Sequence, residues 1–356
     1  MKYTIITGEP SGDIHGAGLM SALRKLDKEA RFSFTGGKAM SGIGGEKILD
    51  IDRMSFMGFI EVILKLPSIL QIQKLIKSSI ENFKPDVVIF IDYPGLNLRL
   101  ARWAKEHGFK TAYYILPKAW AWKASRVQKL KNYIDLNLSI FPFELQFFKS
   151  RGLDVRYVGN PSIGLIDSYE RKVANKNKPI LALLPGSRKQ ELKWMLPLMI
   201  EATYDFDKDF EIIVSKADHL NESDYPKGIQ LEEDYKSLLN KADYAIVTSG
   251  TATLEAALFN VPQVVVYRSS WLSMKIAKLL VKLKYISLVN LVVDEPLVVE
   301  LIQEEATPER IKSELINLTE SGPDIFKSKY QKIKDELGSL SAPDEAAQLI
   351  YNMISS

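Results

Sequence analysis

The sequence contains no cysteine among its 356 residues. This absence excludes disulfide bonds, thiolate nucleophiles and thiolate metal sites. The net charge of +3 at pH 7 is too small to indicate nucleic acid as a partner. No apolar run reaches the ~18 residues of a membrane-spanning helix, and the apolar start before Gly8 is too short for a signal peptide. These absences favour a cytoplasmic protein.

Two nucleotide-binding fingerprints are also missing. The chain lacks the G-x-x-x-x-G-K-[ST] pattern, which argues against a P-loop NTPase. A glycine-rich stretch, GEPSGDIHGAG, runs from Gly8 to Gly18, but its glycines are not spaced as G-x-G-x-x-G. Its acidic residues would repel a pyrophosphate. The stretch is therefore better suited to holding hydroxyl groups, or to placing a carboxylate or an imidazole in a cleft.

Apolar strand-like runs alternate with helical patterns along both halves of the chain. The strand candidates of the first half are YTIIT (3–7), RFSFTG (31–36), DVVIFID (86–92), TAYYIL (111–116), LNLSIF (136–141) and VRYVG (155–159). The alternation restarts near residue 179 with PILALLPG, FEIIVS, GIQLEE, YAIVTSG and VPQVVVY. This pattern predicts an α/β protein with parallel sheets that are covered by helices on both faces.

The length of the chain predicts two domains, because 356 residues exceed what one hydrophobic core usually serves. The polar segment 168–178 indicates a linker between an N-terminal domain over 1–167 and a C-terminal domain over 179–340. The last segment, 341–356, is expected to form a helix that packs on the N-terminal domain or on a partner subunit. A homodimer is one assembly that the sequence allows. Two α/β domains of similar size place the active site in the cleft between them.

Two strand-to-helix transitions in the second half are typical of phosphate binding. The N-terminus of a helix presents free N–H groups and the positive end of the helix dipole, and ligands of open α/β sheets bind at strand carboxyl ends. Each loop alone could be an ordinary turn with a helix cap. Together they predict a phosphate site formed by Gly186, Ser187, Arg188, Ser249, Gly250 and Thr251.

Seven segments spread across nearly the whole chain match the motifs of one protein family, and they occur in the same order as in that family. They are GEPSGDIHGA, MGFIEV (57–62), PDVVIFIDYPGLN (85–97), WAW (120–122), LPGSRKQEL (184–192), SGTATLEAAL (249–258) and SLVNLVVDEPLVVELIQEEATPE (287–309). Together they resemble the lipid-A-disaccharide synthase family. The resemblance implies a GT-B glycosyltransferase, in which two Rossmann-like domains face each other across a cleft and the C-terminal one binds the nucleotide.

The resemblance also implies a reaction. An inverting transfer would join UDP-2,3-diacylglucosamine to 2,3-diacylglucosamine 1-phosphate (lipid X), giving a β-1,6-linked lipid A disaccharide and UDP. Two other functions stay open: another UDP-sugar enzyme of the same fold, such as a UDP-N-acetylglucosamine epimerase or a related transferase, and a non-catalytic lipid or nucleotide carrier. The lipid-suited segments described below argue against the first, and the presence of Asp92, Arg188 and Glu255 argues against the second.

An inverting transfer needs a base for the attacking hydroxyl, and the candidates are Asp13, His15 and Asp92. Asp92 ends the apolar strand VVIFID, where apolar walls would raise the pKa of its carboxyl; the alternative is a helix cap. The resemblance also favours Asp92. His15 would bind a sugar hydroxyl or the departing phosphate, or would pack at the start of a helix. Glu9, Ser11 and Asp13 are interpreted as shaping the loop or binding acceptor groups.

The departing UDP needs stabilisation, which we expect from Ser187, Arg188 and the amides of 249–251 without a metal. Glu255, one helical turn further on, is placed to accept ribose hydroxyls, or is a surface residue. The resemblance adds three further residues to the UDP-sugar site, namely Asn290, Glu300 and Gln303. No cofactor is predicted, since the UDP-sugar is a substrate.

Two segments are suited to acyl chains. Residues 56–77 are rich in apolar side chains, among them Met57 and Phe59, but a lysine and a proline interrupt them. Residues 271–288 form a helical pattern that begins at Trp271 and places three lysines on one side, namely Lys275, Lys278 and Lys282. A basic amphipathic helix with an aromatic end is typical of a membrane interface; the alternative is a core helix with a solvated lysine face. We therefore expect peripheral association with the anionic cytoplasmic face of the inner membrane.

Overall fold

The computed structural model describes residues 1–54, 66–120, 125–167, 169, 178–218, 220–269 and 284–355. The chain divides into two compact units. Unit 1 comprises Met1–Pro161 and Leu340–Ser356, and unit 2 comprises Ser162–Ser339. The division precedes the linker expected at 168–178, most of which lies outside the described residues.

Unit 1 is built on a seven-stranded parallel sheet with the order β3-β2-β1-β4-β5-β6-β7. Its strands are β1 (Lys2–Ile6), β2 (Arg31–Gly36), β3 (Glu46–Asp50), β4 (Val87–Ile91), β5 (Lys110–Tyr114), β6 (Leu136–Ser139) and β7 (Arg156–Tyr157). All five residues of β4 are buried, as expected for a strand covered on both faces. The strand order changes direction between β1 and β4, which makes their carboxyl ends the topological switch point of the sheet.

The helices of unit 1 follow the strands and cover the sheet. They are α1 (Pro10–Leu26), α2 (Lys38–Ile43), α3 (Leu66–Phe83), α4 (Pro94–Glu106), α5 (Ser125–Tyr133) and α6 (Pro142–Lys149). Three of them begin with proline, which has no N–H to leave unsatisfied and a backbone angle suited to the first helical turn. A core packs α3, α4 and α5 against the sheet through side chains such as Ile76, Leu100 and Leu130.

Unit 2 is built on a six-stranded parallel sheet with the order β10-β9-β8-β11-β12-β13. Its strands are β8 (Ile180–Leu184), β9 (Glu211–Ser215), β10 (Gln230–Glu232), β11 (Tyr244–Thr248), β12 (Gln263–Tyr267) and β13 (Val299–Ile302). This order is that of a Rossmann sheet, with its switch point between β8 and β11. The two parallel α/β sheets confirm the fold class predicted from the sequence.

The remaining helices surround the second sheet, except for the last one. They are α7 (Pro161–Asp167), α8 (Lys189–Thr203), α9 (Tyr235–Lys241), α10 (Thr251–Leu258), α11 (Leu288–Val293), α12 (Pro308–Ser321), α13 (Asp324–Leu337) and α14 (Ala342–Ser355). Helix α14 returns to unit 1, where it packs on α1. Its buried face contains three alanines, whose small side chains allow the two helices to approach closely.

Asp13, in the first turn of α1, connects that helix to α2. Its buried carboxylate accepts hydrogen bonds from the backbone N–H groups of Gly37 (2.7 Å), Ala39 (2.9 Å) and Met40 (3.1 Å). These N–H groups belong to the first turn of α2 and have no partner within that helix. The carboxylate therefore caps α2 from a distant part of the sequence and fixes the start of α1 beside the end of β2.

We expect Asp13→Ala to lower the free energy of unfolding by about 2 kcal/mol, because three buried N–H groups lose their acceptor. Asp13→Asn keeps one acceptor oxygen and should lose less. Denaturant titration measures both changes. The control is Ser11→Ala, at an exposed position of the same turn, where a change within about 0.5 kcal/mol is expected. An equal effect of Asp13→Ala and Ser11→Ala would contradict the capping role.

Candidate active site

The predicted loops lie at the switch points of the two sheets. In unit 1, the Gly8–Asp13 stretch follows β1 and the Asp92–Gly95 stretch follows β4, which pairs with β1. In unit 2, the Pro185–Arg188 stretch follows β8 and the Ser249–Thr251 stretch follows β11, which pairs with β8. Because neighbouring parallel strands end at the same edge, each pair of loops lies together at the place where open α/β sheets bind ligands.

A glycine holds the two loops of unit 1 in contact. A Cβ atom on Gly8 would lie 2.4 Å from Cδ1 of Tyr93, so the Tyr93 ring lies directly against the Gly8 backbone. The Tyr93 hydroxyl donates a hydrogen bond to the carbonyl of Met54 at 2.7 Å. Only glycine leaves room for this approach, which places the start of the glycine-rich stretch beside Asp92.

Asp92 follows the last residue of β4 and is half-buried. Burial of its carboxyl, with a smaller contribution from the negative charge of Glu9, raises the pKa of Asp92 to about 6. Lys118 and Arg126 oppose this shift with positive charge. A carboxyl with this pKa is ionised at pH 7 and more basic than an ordinary aspartate, which suits it to accept a proton.

The other candidates of the first loop lie at the start of α1. Glu9 immediately precedes the helix, Ser11 is exposed in its first turn, and His15 is half-buried in the next turn. Asp13 differs from them because its carboxylate caps α2. Its contacts are those of a residue that shapes the loop. The roles assigned to Glu9, Ser11 and His15 stay predictions.

The first loop of unit 2 already holds a carboxylate. The backbone N–H groups of Ser187 and Arg188 donate to Oε2 of Glu191 at 3.1 and 3.2 Å, and Nη1 of Arg188 lies 3.3 Å from Oε1. Gly186 has a φ of 99°, and a Cβ there would lie 2.5 Å from Glu191 Oε2. The loop thus binds an anionic group with the donors that the sequence predicted for phosphate.

The second loop of unit 2 opens α10. Gly250 is the N-cap residue, and Thr251 is the exposed first residue of the helix. Ser249 is anchored through its backbone N–H to the carbonyl of Val266 at 3.1 Å and through its hydroxyl to the carbonyl of Ile286 at 2.9 Å. The amides of this helix start complete a second anion-suited loop beside Gly186–Arg188.

Glu255 lies in the interior of unit 2 and not on its surface. Its carboxylate accepts hydrogen bonds from the Tyr235 hydroxyl at 2.7 Å and the Ser162 hydroxyl at 3.4 Å, and Lys236 Nζ lies 3.8 Å away. Burial raises the pKa of Glu255, and the positive charge of Lys236 opposes this shift. These contacts hold α10 to its neighbours, and ribose binding by Glu255 stays a prediction.

Asn290 and Glu300 form one hydrogen-bonded network. Nδ2 of Asn290 donates to Glu300 Oε1 at 2.8 Å and to the carbonyl of Val298 at 3.0 Å. Glu300 also accepts from the backbone N–H groups of Ile286 (2.9 Å) and Ser287 (3.0 Å). The Ser249 hydroxyl donates to the carbonyl of Ile286, whose N–H group donates to Glu300. The network therefore helps to fix the second loop of unit 2.

Gln303 lies just past β13 with a positive φ of 56°, and its amide hydrogen bonds to Ser269. The lipid-suited residues Met57 and Phe59, and also Trp271, Lys275, Lys278 and Lys282, lie outside the described residues. No helix in the described part of the chain is long and apolar enough to cross a membrane. Within the same ranges, no group of three or more His, Asp or Glu residues could hold a metal ion, and a metal-free reaction stays a prediction.

Comparison with known proteins gives matches over nearly the whole chain. The family model described as lipid-A-disaccharide synthetase matches residues 3–349. Lipid-A-disaccharide synthase from Myxococcus xanthus is 35% identical over 373 residues, which cover 99% of this chain and 97% of that relative. The enzyme of the same name from Coxiella burnetii (strain CbuG_Q212) is 33% identical over 368 residues, which cover 98% of each chain.

The chain belongs to the lipid-A-disaccharide synthetase family. It is accordingly a glycosyltransferase of lipid A biosynthesis. Among solved structures, a putative UDP-N-acetylglucosamine 2-epimerase from Listeria monocytogenes has a TM-score of 0.66 at 17% identity. The match covers 100% of this chain and 96% of the epimerase. The calicheamicin glycosyltransferase CalG4 has a TM-score of 0.64 at 16% identity, with 99% and 98% covered. These neighbours support the GT-B fold.

Unit 1 contains a buried acid that the sequence analysis missed. Glu144, in the first turn of α6, is 2% exposed. Its carboxyl binds Trp120 Nε1 at 2.6 Å and the hydroxyl of Ser139. Burial raises the pKa of Glu144 to about 7, against the effects of these two donors and of Lys118, while Asp92 raises it slightly. The one sequence signal is a lone acid in the aromatic stretch FPFELQFF after β6.

The raised pKa predicts how Glu144 affects stability. In the window from pH 4.5 to about 7 the folded protein holds a proton that the unfolded chain releases. The stabilisation of the folded protein by protonated Glu144 is therefore complete below that window and is lost as the pH rises through it. It amounts to on the order of 3 kcal/mol.

The sequence analysis also missed Asn97 and Tyr113, whose side chains donate hydrogen bonds to the carbonyl of Asp92.

We expect Glu144→Gln to remove this pH dependence. The free energy of unfolding of the unchanged protein should fall, relative to the variant, between pH 5 and pH 8. Denaturant titrations at several pH values measure the difference. Glu201→Gln, at an exposed position of α8, is the control and should leave the pH dependence unchanged. Parallel curves for the unchanged protein and Glu144→Gln would contradict a raised pKa.

Proposed function

We propose that this enzyme transfers 2,3-diacylglucosamine from UDP to the 6-hydroxyl group of 2,3-diacylglucosamine 1-phosphate. The bond between the anomeric carbon and the diphosphate oxygen of UDP breaks. A bond from the acceptor oxygen to that carbon forms on the opposite face, which gives the β-1,6 linkage. The family supports a UDP-sugar and a lipid as the substrate classes. The observation that carries the proposal is that family motifs occupy the switch points of both sheets.

In this proposal, the acceptor hydroxyl loses its proton to Asp92. Burial and the charge of Glu9 make its carboxyl more basic than an ordinary aspartate, so the proton transfer costs less free energy. Glu9, Ser11 and His15 lie on the neighbouring loop and helix start, where they would bind hydroxyl or phosphate groups of the acceptor. Asp13 would hold this loop in place and take no part in the proton transfer.

The departing UDP would bind in unit 2. The N–H groups of Ser187 and Arg188 and the Arg188 guanidinium now contact Glu191, so a diphosphate would take the place of that carboxylate. The start of α10 at Ser249–Thr251 supplies further N–H groups. Donors fixed in this way stabilise the charge that develops on the leaving group. Glu255, Asn290 and Glu300 would support these loops and the rest of the nucleotide.

Substitutions of Asp92 and Arg188 should affect different steps of the reaction. Asp92→Asn should lower kcat by at least about a hundredfold, because the base is lost, and should leave UDP affinity unchanged. Arg188→Ala should weaken UDP binding or transition-state stabilisation by about 1.5–3 kcal/mol, because a charged donor is lost. Steady-state kinetics with UDP-diacylglucosamine and lipid X, together with calorimetric titration of UDP, separate the two effects.

The pH profile provides a further readout. Because the base must be ionised, kcat/KM should rise with pH through about 6, the pKa of Asp92, and Asp92→Asn should lack this rise. His15→Ala should keep it. Near-normal turnover of Asp92→Asn together with an inactive His15→Ala would assign the base to His15.

Unchanged UDP affinity and unchanged kcat/KM in Arg188→Ala would contradict the proposed UDP site in unit 2.

We also propose that the enzyme associates with the anionic cytoplasmic face of the inner membrane through residues 56–77 and 271–288. The support is the pattern of the sequence: three lysines on one side of an amphipathic helical segment that begins with tryptophan. Lysines near an anionic surface contribute about 1 kcal/mol each. The acyl chains of both substrates would reach the protein at this surface.

Replacing Lys275, Lys278 and Lys282 with glutamate should weaken sedimentation with anionic vesicles by about a hundredfold in affinity, because about 3 kcal/mol is lost. The affinity for UDP should not change. The control carries the same charge change at three exposed lysines elsewhere, Lys129, Lys208 and Lys327. Equal vesicle binding by both triple variants would show that the 271–288 lysines form only a solvated face.

A further inference from the structure

Asp92 lies in a backbone conformation that L-residues rarely adopt. Asp92 has a φ of 43° and Tyr93 a φ of 45°, which places both in the left-handed region. Among the described residues, they are the one adjacent pair of non-glycine residues with positive φ. Such a turn persists only where surrounding contacts hold it, and such turns cluster at functional sites.

Two buried side chains hold the carbonyl oxygen of Asp92. The Tyr113 hydroxyl donates to this oxygen at 2.5 Å, and Asn97 Nδ2 donates to it at 2.8 Å. Both side chains are fully buried. Tyr113 belongs to β5 and Asn97 to α4, so donors from two different elements meet at one atom.

Asn97 ties the turn to the ends of two strands. Its Nδ2 also lies 3.1 Å from the carbonyl of Ile91, the last residue of β4, and 3.3 Å from that of Ile6, the last residue of β1. Its Oδ1, by contrast, is buried without a hydrogen-bond partner within the described residues. The structure therefore uses this side chain as a donor to the switch point.

The Tyr113 hydroxyl keeps its proton at the pH values at which Asp92 titrates. Burial raises the pKa of Tyr113 well above its ordinary value, and the charge of Asp92 adds to the shift. The hydroxyl thus keeps its proton while Asp92 gains and loses one. A donor that is present at every working pH can hold the Asp92 backbone in both protonation states.

We propose that Tyr113 and Asn97 are positioning residues for Asp92, which fix its left-handed backbone and thereby the direction in which its carboxyl points. Holding the carbonyl fixes the backbone dihedral angles, and these determine where the Cβ atom leaves the chain. This inference rests on the proposed function, in which Asp92 is the base. It adds that the base is held through its main chain by residues that need not touch a substrate.

Tyr113→Phe removes one hydroxyl and keeps the ring in the core. We expect kcat to fall by about tenfold, the effect of one lost hydrogen bond, with KM for the UDP-sugar unchanged. Tyr114→Phe is the matched control: it is the next residue of the same strand, is also buried, and points to the other face of the sheet. It should retain full activity.

A double-variant cycle distinguishes positioning from general support of the fold. Adding Tyr113→Phe to Asp92→Asn should cause no further loss of kcat, because the group that Tyr113 positions is already gone. A further tenfold loss in the double variant would overturn the proposal, and so would equal activities of Tyr113→Phe and Tyr114→Phe. Asn97→Ala should follow the same rule with a larger loss, and if it does not fold, Tyr113→Phe decides.

The titration of Asp92 is a readout that does not depend on catalysis. Carbon-13 NMR of the carboxyl, assigned by comparison with Asp92→Asn, should give a lower pKa in Tyr113→Phe, because a loosened turn exposes the carboxyl to water. Tyr114→Phe should not shift it. An unchanged pKa in Tyr113→Phe would contradict the positioning role. Full activity of Asp92→Asn would instead overturn the assignment of Asp92 as the base, so the two failures can be told apart.

Discussion

Both units depend on one constraint. A strand that is buried between two layers of helices can offer polar groups to a ligand only where it ends. Strand β4 is apolar and buried throughout, and the first polar side chain after it is that of Asp92. The same holds in unit 2, where β8 and β11 are buried and are followed by the two anion-suited loops. The change of strand direction opens a crevice beside these ends, where open α/β sheets generally bind their ligands.

Carboxylates hold the loops of this enzyme in place. Asp13 accepts the N–H groups that begin α2, Glu191 those of the first loop of unit 2, and Glu300 those of Ile286 and Ser287. Each satisfies backbone donors that would otherwise lack a partner. Asp92 and Glu144 differ, because burial raises their pKa values. Carboxylates thus differ in this chain according to their surroundings: those of Asp13, Glu191 and Glu300 accept backbone N–H groups, whereas burial makes those of Asp92 and Glu144 more basic.

The sequence predicted the central strands and the switch-point loops, since these have strong local patterns. RFSFTG forms β2 over the whole predicted range. The missed strands are β3 and β13, which lie at sheet edges and contain charged residues, so the apolar run that marks a buried strand is absent. Glu144 and Tyr113 were missed for another reason: their roles come from contacts with residues 24 and 21 positions away. No local pattern records such pairs.

The position of helix α14 in the sequence affects the order in which the two units can complete their folds during synthesis. Unit 1 contains both the first 161 residues and the last 17, so unit 2 is inserted within it. During synthesis, the strands of unit 1 are made before unit 2, but the face of α1 that α14 covers stays open until residues 340–356 have been made. Unit 2, in contrast, is continuous in sequence and can complete its own core beforehand. Unit 1, whose strands precede unit 2 in the sequence, can therefore complete its fold only after unit 2 has been made.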